Sequence, residues 1–437
     1  MANPISVVWL RRDLRLHDNA ALYQALTSGR PVLPLFIFDR EILDGLEDRR
    51  DRRVEFIYNH VERLRRELAD MGSGMIVRYG KPLDIWNDLI REYQIEGVYT
   101  NRDYEVYAKN RDAQVAGLLA EHGIGFESFK DQTIFEQDEV LTGGNTPYTV
   151  FTPYSRRWHD KLKDPFFLKP YPTQKYAQNY LKLPSPLPAP TLADMNFEPL
   201  GEPFPRSVVG DDLIRHYKET RDYPALSGTS ELSIHLRFGT ISVRDLARQA
   251  EGIGATYLSE LCWRDFYFQV LHHYPHVEKN SFRREYDNIP WRNNEEEFGK
   301  WCRGETGYPL VDAGMRQLNT IGWMHNRVRM VTASFLCKHL LIDWRWGERY
   351  FAQKLRDYDL SANNGGWQWA AGSGTDAAPY FRVFNPTAQA EKFDPKGDYI
   401  RKWVPEFNSL RYAQPMVDHA MARQRAIDTY KKGLKGE

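Results

Sequence analysis

The sequence is poor in cysteine and has no long hydrophobic run. Its three cysteines, Cys262, Cys302 and Cys337, lie far apart and form no CxxC pair. This spacing argues against a disulfide framework or a zinc site and fits a reducing cytoplasm. No apolar stretch approaches the roughly 18 residues that cross a membrane, and the segment from Met1 to Arg12 lacks the apolar core of a signal peptide. We therefore expect a cytoplasmic protein with no membrane span and no bound metal.

An excess of charge of one sign is also missing, because 59 Lys and Arg residues balance 59 Asp and Glu residues. Taken alone, this balance weighs against a nucleic-acid binder, since such proteins usually carry a basic excess. It does not exclude one, because a basic face on one domain can be offset by acidic faces elsewhere.

Two familiar site motifs, GxxxxGK[ST] and HExxH, are absent. The run 372–377 has the spacing GxGxxA, but this fingerprint needs a strand before it and a helix after it. Here it follows a tryptophan-rich stretch and leads into Pro379, so we reject it. No acidic or cysteine residue is spaced to complete a metal site with His272, His273 and His276, which we interpret as packing or surface histidines.

Aromatic residues are abundant, at 14% of the 437 residues, with 12 tryptophans. The length predicts two or three domains of about 150 residues each. Several tryptophans lie beside polar residues in one C-terminal stretch, and buried indole N–H groups need hydrogen-bond partners. This stretch is therefore a candidate functional site.

Strand and helix patterns alternate over residues 1–131. Asp18 and Asn19 precede a helix from Ala20 and are placed to cap it. Strands are predicted over 6–10, 31–38, 74–79 and 97–100, and further helices over 53–71 and 82–93. Apolar strands separated by amphipathic helices predict a doubly wound parallel sheet, an α/β domain that binds ligands at the carboxyl ends of its strands.

The pattern changes twice further along the chain. Prolines cluster over residues 132–204, which we interpret as a connector that runs over the surface. From residue 205 to 437 strand patterns nearly vanish, which predicts an all-helical second domain. Helices are predicted over 211–221, 243–251, 255–274, 295–303, 309–322, 326–341 and 347–355.

The run 228–233 combines a glycine with hydroxyl side chains before an apolar segment. Such residues cap helices, and they also hold diphosphates through N–H and hydroxyl donors. Spacing alone favours the cap.

One face of the predicted helix 255–274 carries Glu260, Trp263 and Arg264, at positions i, i+3 and i+4. These side chains form either a solvated ion pair over an aromatic ring or a site that stacks a planar ring while Glu260 hydrogen-bonds its edge. Both readings stay open on spacing alone.

A second polar face lies on the predicted helix 326–341, where Asn326, Arg329 and Met330 fall on one side. An arginine on that side needs an acidic partner, and Asp357 and Asp359 are candidates.

The stretch from Asn363 to Trp369 has an unusual composition for a core segment. Its two asparagines and two glycines favour a turn with an open backbone. Trp367 and Trp369 share a face if the segment is extended, but lie about 200° apart if it is helical. In a helix the two indoles would contact different neighbours.

These segments resemble the photolyase–cryptochrome family, and most closely its class I cyclobutane pyrimidine dimer photolyases. The resemblance runs from residues 9–15 to residues 399–405 and is most specific over 307–386. It implies an α/β antenna domain over 1–131, an interdomain connector over 132–204 and a helical FAD-binding catalytic domain over 205–437.

The resemblance implies a folded FAD in the helical domain. It places Tyr217, Thr229, Ser230, Leu232 and Ser233 at the ribityl and phosphate portions, which makes the run 228–233 a cofactor contact. It places Tyr257, Glu260, Arg264, Trp323, Asn326, Arg329, Asp357, Asp359 and Asn363 around the rest of FAD. Arg329 and Asp357 match an ion pair beside the isoalloxazine, and Asn363 matches the residue facing flavin N5. Tyr257 stands where some relatives carry tryptophan.

The resemblance also implies a lesion pocket. Its members are Glu260, Trp263, Asn326, Met330 and Trp369. Glu260, Asn326 and Met330 would be catalytic, together with Asn363 at the flavin. Trp263 and Trp369 would pack on the two pyrimidine rings, while Glu260 donates a hydrogen bond to a carbonyl edge where negative charge develops. Arg221, Arg327 and Arg382 match positions that grip phosphates around a dimer flipped out of the duplex.

Three tryptophans match the family's electron-transfer chain from surface to flavin, namely Trp291, Trp344 and Trp367. We assign the nearby Trp346 to packing. The implied reaction is a lyase reaction without net redox change, in which reduced, anionic FAD absorbs near-UV or blue light and lends an electron to the dimer. The implied partner is UV-damaged DNA, and the implied oligomeric state is a monomer.

The antenna chromophore stays open. The family's folate-binding pattern wants Asn-Glu where this chain has Tyr107 and Ala108. The segment looks more like the version that binds 8-hydroxy-deazaflavin or FMN, and methenyltetrahydrofolate remains an alternative.

Three other activities compete with dimer repair. A cryptochrome-like photoreceptor shares the fold, the FAD and the tryptophans, but the lesion-pocket residues and the lack of a long extension after Trp403 count against it. A 6–4 photoproduct enzyme uses a histidine pair, whereas this chain has Asn326 and Met330 there and His325 is expected to face elsewhere. The single-strand-preferring cryptochrome branch is the least favoured.

Overall fold

The structure, a computed structural model, describes residues 4–184 and 186–435. The chain divides into two compact units, and neither is continuous in sequence. The first unit comprises Met1–Glu136, Asp160–Val208 and Glu231–Glu251, and the second comprises Gln137–His159, Val209–Ser230 and Gly252–Glu437. The domain boundaries after residues 131 and 204 stay predictions.

The first unit contains a five-stranded parallel sheet, as the alternating pattern predicted. The strand order is β3-β2-β1-β4-β5. The strands are β1 Ile5–Leu10, β2 Val32–Asp39, β3 Ile76–Gly80, β4 Ile95–Asn101 and β5 Gly125–Phe129. Helices of this part of the chain are α1 Ala20–Leu26, α2 Arg40–Leu43, α3 Arg52–Asp70, α4 Pro82–Glu92 and α5 Val106–Glu121. Asn19 caps α1 by accepting the N–H of Leu22, as expected.

Side-chain alternation places a core on each face of this sheet. In β1, Val8 and Leu10 pack into one apolar cluster, while Val7 and Trp9 pack into another. Every residue of β1 and β2 is buried, because parallel strands in the middle of a sheet are covered on both faces. This explains why these two strands read as continuous apolar runs in the sequence.

The proline-rich segment contains a helix that the sequence patterns did not predict. Helix α6 covers Phe151–Leu162, and short 3₁₀ helices follow at Pro165–Leu168, Thr173–Asn179 and Ala193–Met195. Within α6, Tyr154 and Trp158 are fully buried. The Trp158 indole N–H donates to Asp265 on the helix Ala255–His273, at 2.9 Å, and both residues belong to the second unit. The sequence pattern did not predict this amphipathic helix because prolines surround it, and its buried face is aromatic.

Helices dominate the rest of the chain, as expected. They are α7 Asp211–Arg215, α8 Tyr217–Thr220, α9 Ser233–Arg237, α10 Val243–Ala250, α11 Ala255–His273, α12 Glu295–Arg303, α13 Pro309–Ile321, α14 Asn326–Ser334, α15 Trp344–Lys354, α16 Leu360–Ala371, α17 Pro386–Phe393, α18 Asp398–Trp403 and α19 His419–Lys435. The predicted helix 211–221 is two short helices, and the predicted helix 326–341 ends in a π-helical turn, Phe335–His339. No helix in the described part of the chain is both long enough and apolar enough to span a membrane.

Helix α16 forms where composition favoured a turn, and its ends explain why. The Asp359 side chain accepts the backbone N–H groups of Ser361 and Ala362, which satisfies two of the unpaired donors at a helix start. Gly372 ends the helix with a φ of +90°. Gly365 lies where a Cβ would be 2.2 Å from the ring of Tyr267, so the glycine serves close packing rather than a turn.

Two buried histidines in the second unit make its stability depend on pH. Burial lowers the pKa of His325 to about 4 and that of His339 to about 3. The folded state therefore keeps both rings neutral, whereas the unfolded chain protonates them near pH 6.5. Stability is full above that pH and is lost as the pH falls towards the folded pKa values.

We expect the His339→Phe variant to flatten this pH dependence. Between pH 7 and 5 the wild-type protein should lose about 2 kcal/mol more unfolding free energy than the variant, because one proton fewer is taken up on unfolding. Urea unfolding of both proteins at the two pH values measures the difference. Equal losses would contradict a neutral, buried His339.

Candidate functional site

A cavity of about 350 Å³ in the second unit brings eleven of the predicted site residues together. Its walls come from α11, α14, α15, α16, the segment between α15 and α16, and the end of α8. The predicted residues that line it are Arg221, Glu260, Trp263, Asn326, Arg329, Met330, Asp357, Asp359, Asn363, Trp367 and Trp369. Residues that line it without having been predicted are Tyr267, Ala333, Phe351, Leu355, Ala362 and Gly366. Its size and mixed lining are those of a small-molecule site.

Arg329 and Asp357 form the ion pair that was expected on this wall. Arg329 Nη2 lies 2.9 Å from Asp357 Oδ2 and 3.2 Å from Oδ1. The carboxylate is almost fully buried, and the guanidinium is about a quarter exposed. Arg329 Nε also donates to the carbonyl oxygen of Met324 at 2.7 Å. These bonds fix the guanidinium plane, so the pair presents a rigid polar edge to whatever fills the cavity.

Asn363 is held by a residue that sequence reasoning missed, Glu348 on α15. The Asn363 amide donates to Glu348 Oε1 at 2.9 Å and to the Glu348 carbonyl oxygen at 3.2 Å. Burial raises the pKa of the Glu348 carboxyl, and the bond from Asn363 opposes that rise. These two bonds hold the Asn363 side chain in place at the cavity wall.

Glu260 and Arg221 were expected to act separately, on the lesion and on a phosphate, yet they form an ion pair in the same cavity. Burial raises the pKa of Glu260, and Arg221 opposes the rise. The Glu260 carboxyl therefore keeps its proton to a higher pH than a free glutamate does.

Trp263 and Trp369 both line the cavity, as the predicted lesion pocket requires. Trp263 is stacked on Phe151 of α6. Trp369 has a tilted contact with Phe384, with centroids 6.3 Å apart. Trp367 is nearly fully buried, whereas Trp369 is only half-buried. The helical alternative for this stretch is thus confirmed, with the two indoles in different surroundings.

The run 228–233 does not cap a helix. Helix α9 begins at Ser233, and the residue at its cap position, Leu232, makes no side-chain cap bond, so the capping interpretation is wrong. Ser230 accepts the Tyr257 hydroxyl at 2.9 Å, and Tyr217 contacts the Tyr257 ring edge-on at 5.0 Å. Thr229 belongs with these residues to the second unit, while Leu232 and Ser233 belong to the first.

Besides the residues around the run 228–233, four predicted flavin or phosphate contacts are not among the described residues that line the cavity. Arg264 lies over the ring of Phe268 at 4.7 Å, and Trp323 is buried, with an edge-on contact to His325. Arg327 is paired with Asp222 at 2.8 Å. Arg382 is exposed on the segment after α16, over the ring of Phe384. Phosphate contacts of Arg327 and Arg382 stay predictions.

The three tryptophans of the predicted electron-transfer chain share one apolar cluster. Trp344 and Trp367 lie within it, and Trp291 packs against it. Among the described residues, the indole N–H groups of Trp344 and Trp367 find no acceptor, whereas a buried indole usually does. Trp301, which contacts Trp367 edge-on at 6.0 Å, donates to the Thr332 carbonyl oxygen. Trp346 packs against Phe298.

The residues considered for an antenna lie in the first unit, at the carboxyl ends of the strands. Tyr107, at the start of α5, donates its hydroxyl to Asp39 at 2.6 Å. Arg111 lies over the rings of Trp9 and Tyr107, at 4.9 and 5.6 Å. This aromatic and cationic edge differs from the Asn-Glu pair of the folate pattern.

The donor set of the second-unit cavity fits FAD. An ion pair with a buried carboxylate, an asparagine side chain and a buried indole line it, and an isoalloxazine carries both hydrogen-bond donors and acceptors around an apolar ring. The nearby hydroxyls of Ser230 and Tyr257 suit the polar ribityl portion.

Two family models match the chain, one described as DNA photolyase over residues 6–175 and one as the FAD binding domain of DNA photolyase over residues 257–411. Among curated relatives, the deoxyribodipyrimidine photo-lyase of Halobacterium salinarum is 37% identical, with 99% of this chain and 100% of the relative covered. That of Escherichia coli is 38% identical, with 99% of each covered.

Solved structures similar to this chain are also photolyases and a cryptochrome. A bacterial class III photolyase from Agrobacterium tumefaciens aligns with a TM-score of 0.86 and 33% identity, covering 100% of this chain and 98% of the other. An archaeal photolyase from Sulfolobus tokodaii with two FAD molecules aligns at 0.80 and 32%, and a Synechocystis cryptochrome at 0.84 and 26%, each covering 98% of this chain and 99% of the other. The chain therefore belongs to the photolyase–cryptochrome family and carries its FAD-binding domain.

Proposed function

We propose that this chain is a deoxyribodipyrimidine photo-lyase that uses light to repair cyclobutane pyrimidine dimers in DNA. One cavity carries the proposal, because side chains expected at the lesion and side chains expected at the flavin line the same space. Full-length relatives named for this activity support it. The photoreceptor alternative needs the flavin residues but gives no reason for the lesion residues.

The chemistry divides between the cofactor and the chain. Arg329, Asp357 and Asn363 would hold FAD, which in its reduced form would lend the dimer an electron under light and take it back once the ring has split. The cavity receives a dimer that has left the duplex, whose weakened pairing lowers the cost of flipping. Trp263 and Trp369 offer indole surfaces to its rings, and Glu260 lies one helical turn from Trp263 to donate to a carbonyl edge.

The proposal extends to the oligomeric state, the cellular location, the DNA contacts and the antenna chromophore. We propose that the enzyme acts as a monomer in the cytoplasm and that Arg327 and Arg382 contact phosphates beside the lesion. Arg382 is exposed and suited to such a contact, while Arg327 would have to share its guanidinium with Asp222. The N-terminal sheet would hold an antenna chromophore, of which 8-hydroxy-deazaflavin, FMN and methenyltetrahydrofolate stay open.

Illumination of the reduced protein with DNA that carries one defined thymine dimer tests the proposal. We expect light-dependent recovery of thymine absorbance and none in the dark. Protein with FAD bound and reduced that shows no recovery in light would favour the photoreceptor. A parallel sample with a 6–4 photoproduct should show no recovery, because Asn326 and Met330 stand where that chemistry uses histidines.

A further inference from the structure

Phe151 lies flat against Trp263, an indole of the predicted lesion pocket. The ring centroids are 3.4 Å apart and the ring planes differ by 7°. Both residues belong to the second unit. Phe151 is the first residue of α6, the helix within the proline-rich segment. A phenyl ring this close occupies the face that it covers, so a pyrimidine can reach only the remaining surface of the indole.

Two further rings of α11 restrain the same indole. Phe266 contacts Trp263 edge-on at 5.8 Å and Phe151 edge-on at 5.7 Å. Tyr267 lies 5.7 Å from Trp263, with its plane inclined by 30°. Tyr267 in turn is pressed against Gly365 of α16. The plane of Trp263 is therefore set by packing from two other helices as well as by its own.

The position of Phe151 is also fixed through its backbone. Its N–H donates to Asp376 Oδ2 at 3.2 Å. Asp376 has a φ of +48°, a left-handed conformation that aspartate and asparagine tolerate better than most residues. It lies on the segment after α16 that also carries Arg382. The start of α6 is thus tied to the segment expected to meet DNA.

We propose that Phe151 is a positioning residue for the damaged base. By covering one face of Trp263, it fixes the indole plane and leaves the other face as the platform for a pyrimidine ring. This inference rests on the proposed function, since it assigns a role within the lesion pocket. A free indole would have to be ordered on binding, and pre-ordering it removes that entropic cost.

The test measures DNA binding by the FAD-loaded protein in the dark. A fluorescently labelled oligonucleotide carries one thymine dimer, and a matched one is undamaged. We expect Phe151→Ala to bind the dimer about tenfold more weakly, a change of about 1.4 kcal/mol, and to bind undamaged DNA unchanged. Phe151→Tyr keeps the ring and should bind like the wild type. Phe151→Leu keeps the apolar volume but not the plane, and should bind like the alanine variant.

A spectroscopic measurement separates positioning from general damage. Near-UV circular dichroism reports indoles held in a fixed asymmetric setting, so its intensity should fall in Phe151→Ala and return in Phe151→Tyr. The matched control is Trp158→Phe, which removes a buried indole of the same helix whose N–H donates to Asp265. This control should keep its preference for the dimer.

The outcomes are distinct. If the wild-type protein itself fails to prefer dimer DNA, the proposed function fails. If the wild type prefers the dimer and both Phe151→Ala and Phe151→Leu keep the full preference, the positioning role is overturned while the function stands. If Trp158→Phe loses as much preference as Phe151→Ala, the role is likewise overturned, because the effect then belongs to the helix as a whole.

Discussion

The Asp357→Ala variant is expected to purify with almost no FAD and with a less stable second unit. Asp357 is the buried partner of Arg329 on the cavity wall. Removing Asp357 leaves a largely buried guanidinium without its counter-charge. We expect the free energy of unfolding to fall by about 3 kcal/mol, at the lower end of the range for breaking a buried ion pair. The same change removes a rigid polar edge from the predicted isoalloxazine contact, so affinity for FAD falls as well.

The ratio of flavin to protein absorbance measures the first effect, and urea unfolding of the FAD-free forms measures the second. The FAD-free comparison matters because bound FAD itself stabilises the folded state by mass action. A variant that keeps FAD at one per chain would contradict the placement of this pair at the cofactor.

A double variant separates the loss of stability from the loss of FAD. Arg329→Met with Asp357→Leu removes both charges together, so that neither is left buried without its partner, a change that often restores stability. We expect the double variant to regain most of the unfolding free energy but not the FAD. Non-additive stability effects of the two single variants would report their coupling. If FAD returned together with stability, the pair would be structural only.

Much of the fold could be predicted because it depends on local patterns. The buried strands β1 and β2 read as apolar runs, and the long helices show their periodicity. Prediction failed where tertiary contacts outweigh local preference. Helix α16 contains Gly365 and Gly366, which favour a turn locally, yet a cap at Asp359 and packing against Tyr267 make it helical.

The contacts between site residues were harder to predict from the sequence than the identity of the site residues themselves. The ion pair of Arg329 and Asp357 was expected, whereas that of Arg221 and Glu260 joins residues 39 positions apart and had no signal in the spacing. Glu348 stands between Gly347 and Arg349 on a helix, where a glutamate reads as a surface residue. Phe151 lies in a proline-rich segment, and only the folded chain shows that its ring covers Trp263.

Glu260 is expected to control the yield of repair through its proton. A carboxylic acid can donate a hydrogen bond to a carbonyl oxygen on which negative charge develops, whereas an ionised carboxylate only accepts. Burial raises the pKa of Glu260, while Arg221 pulls it down. The protonated fraction falls as pH rises through this pKa, so the yield of repair per absorbed photon should fall with rising pH.

Two substitutions of Glu260 test this role. Glu260→Gln keeps an N–H donor that does not titrate, so its yield should be close to the low-pH yield of the wild type and independent of pH. Glu260→Ala removes the donor, and the yield should fall roughly tenfold, as expected for a hydrogen bond to a charged group. Dimer binding in the dark, measured beside the yield, ensures that each sample is saturated with substrate.

The ion pair with Arg221 supplies the sharpest control. Replacing Arg221 with methionine removes the cation that favours the ionised carboxyl, so the pKa of Glu260 rises further and the midpoint of the pH profile moves to higher pH. Asp222→Asn acts in the opposite direction, because Asp222 raises the pKa of Glu260 and its loss moves the midpoint to lower pH. Profiles that stay in place in both variants, or a Glu260→Gln profile that still titrates, would show that another group carries the proton.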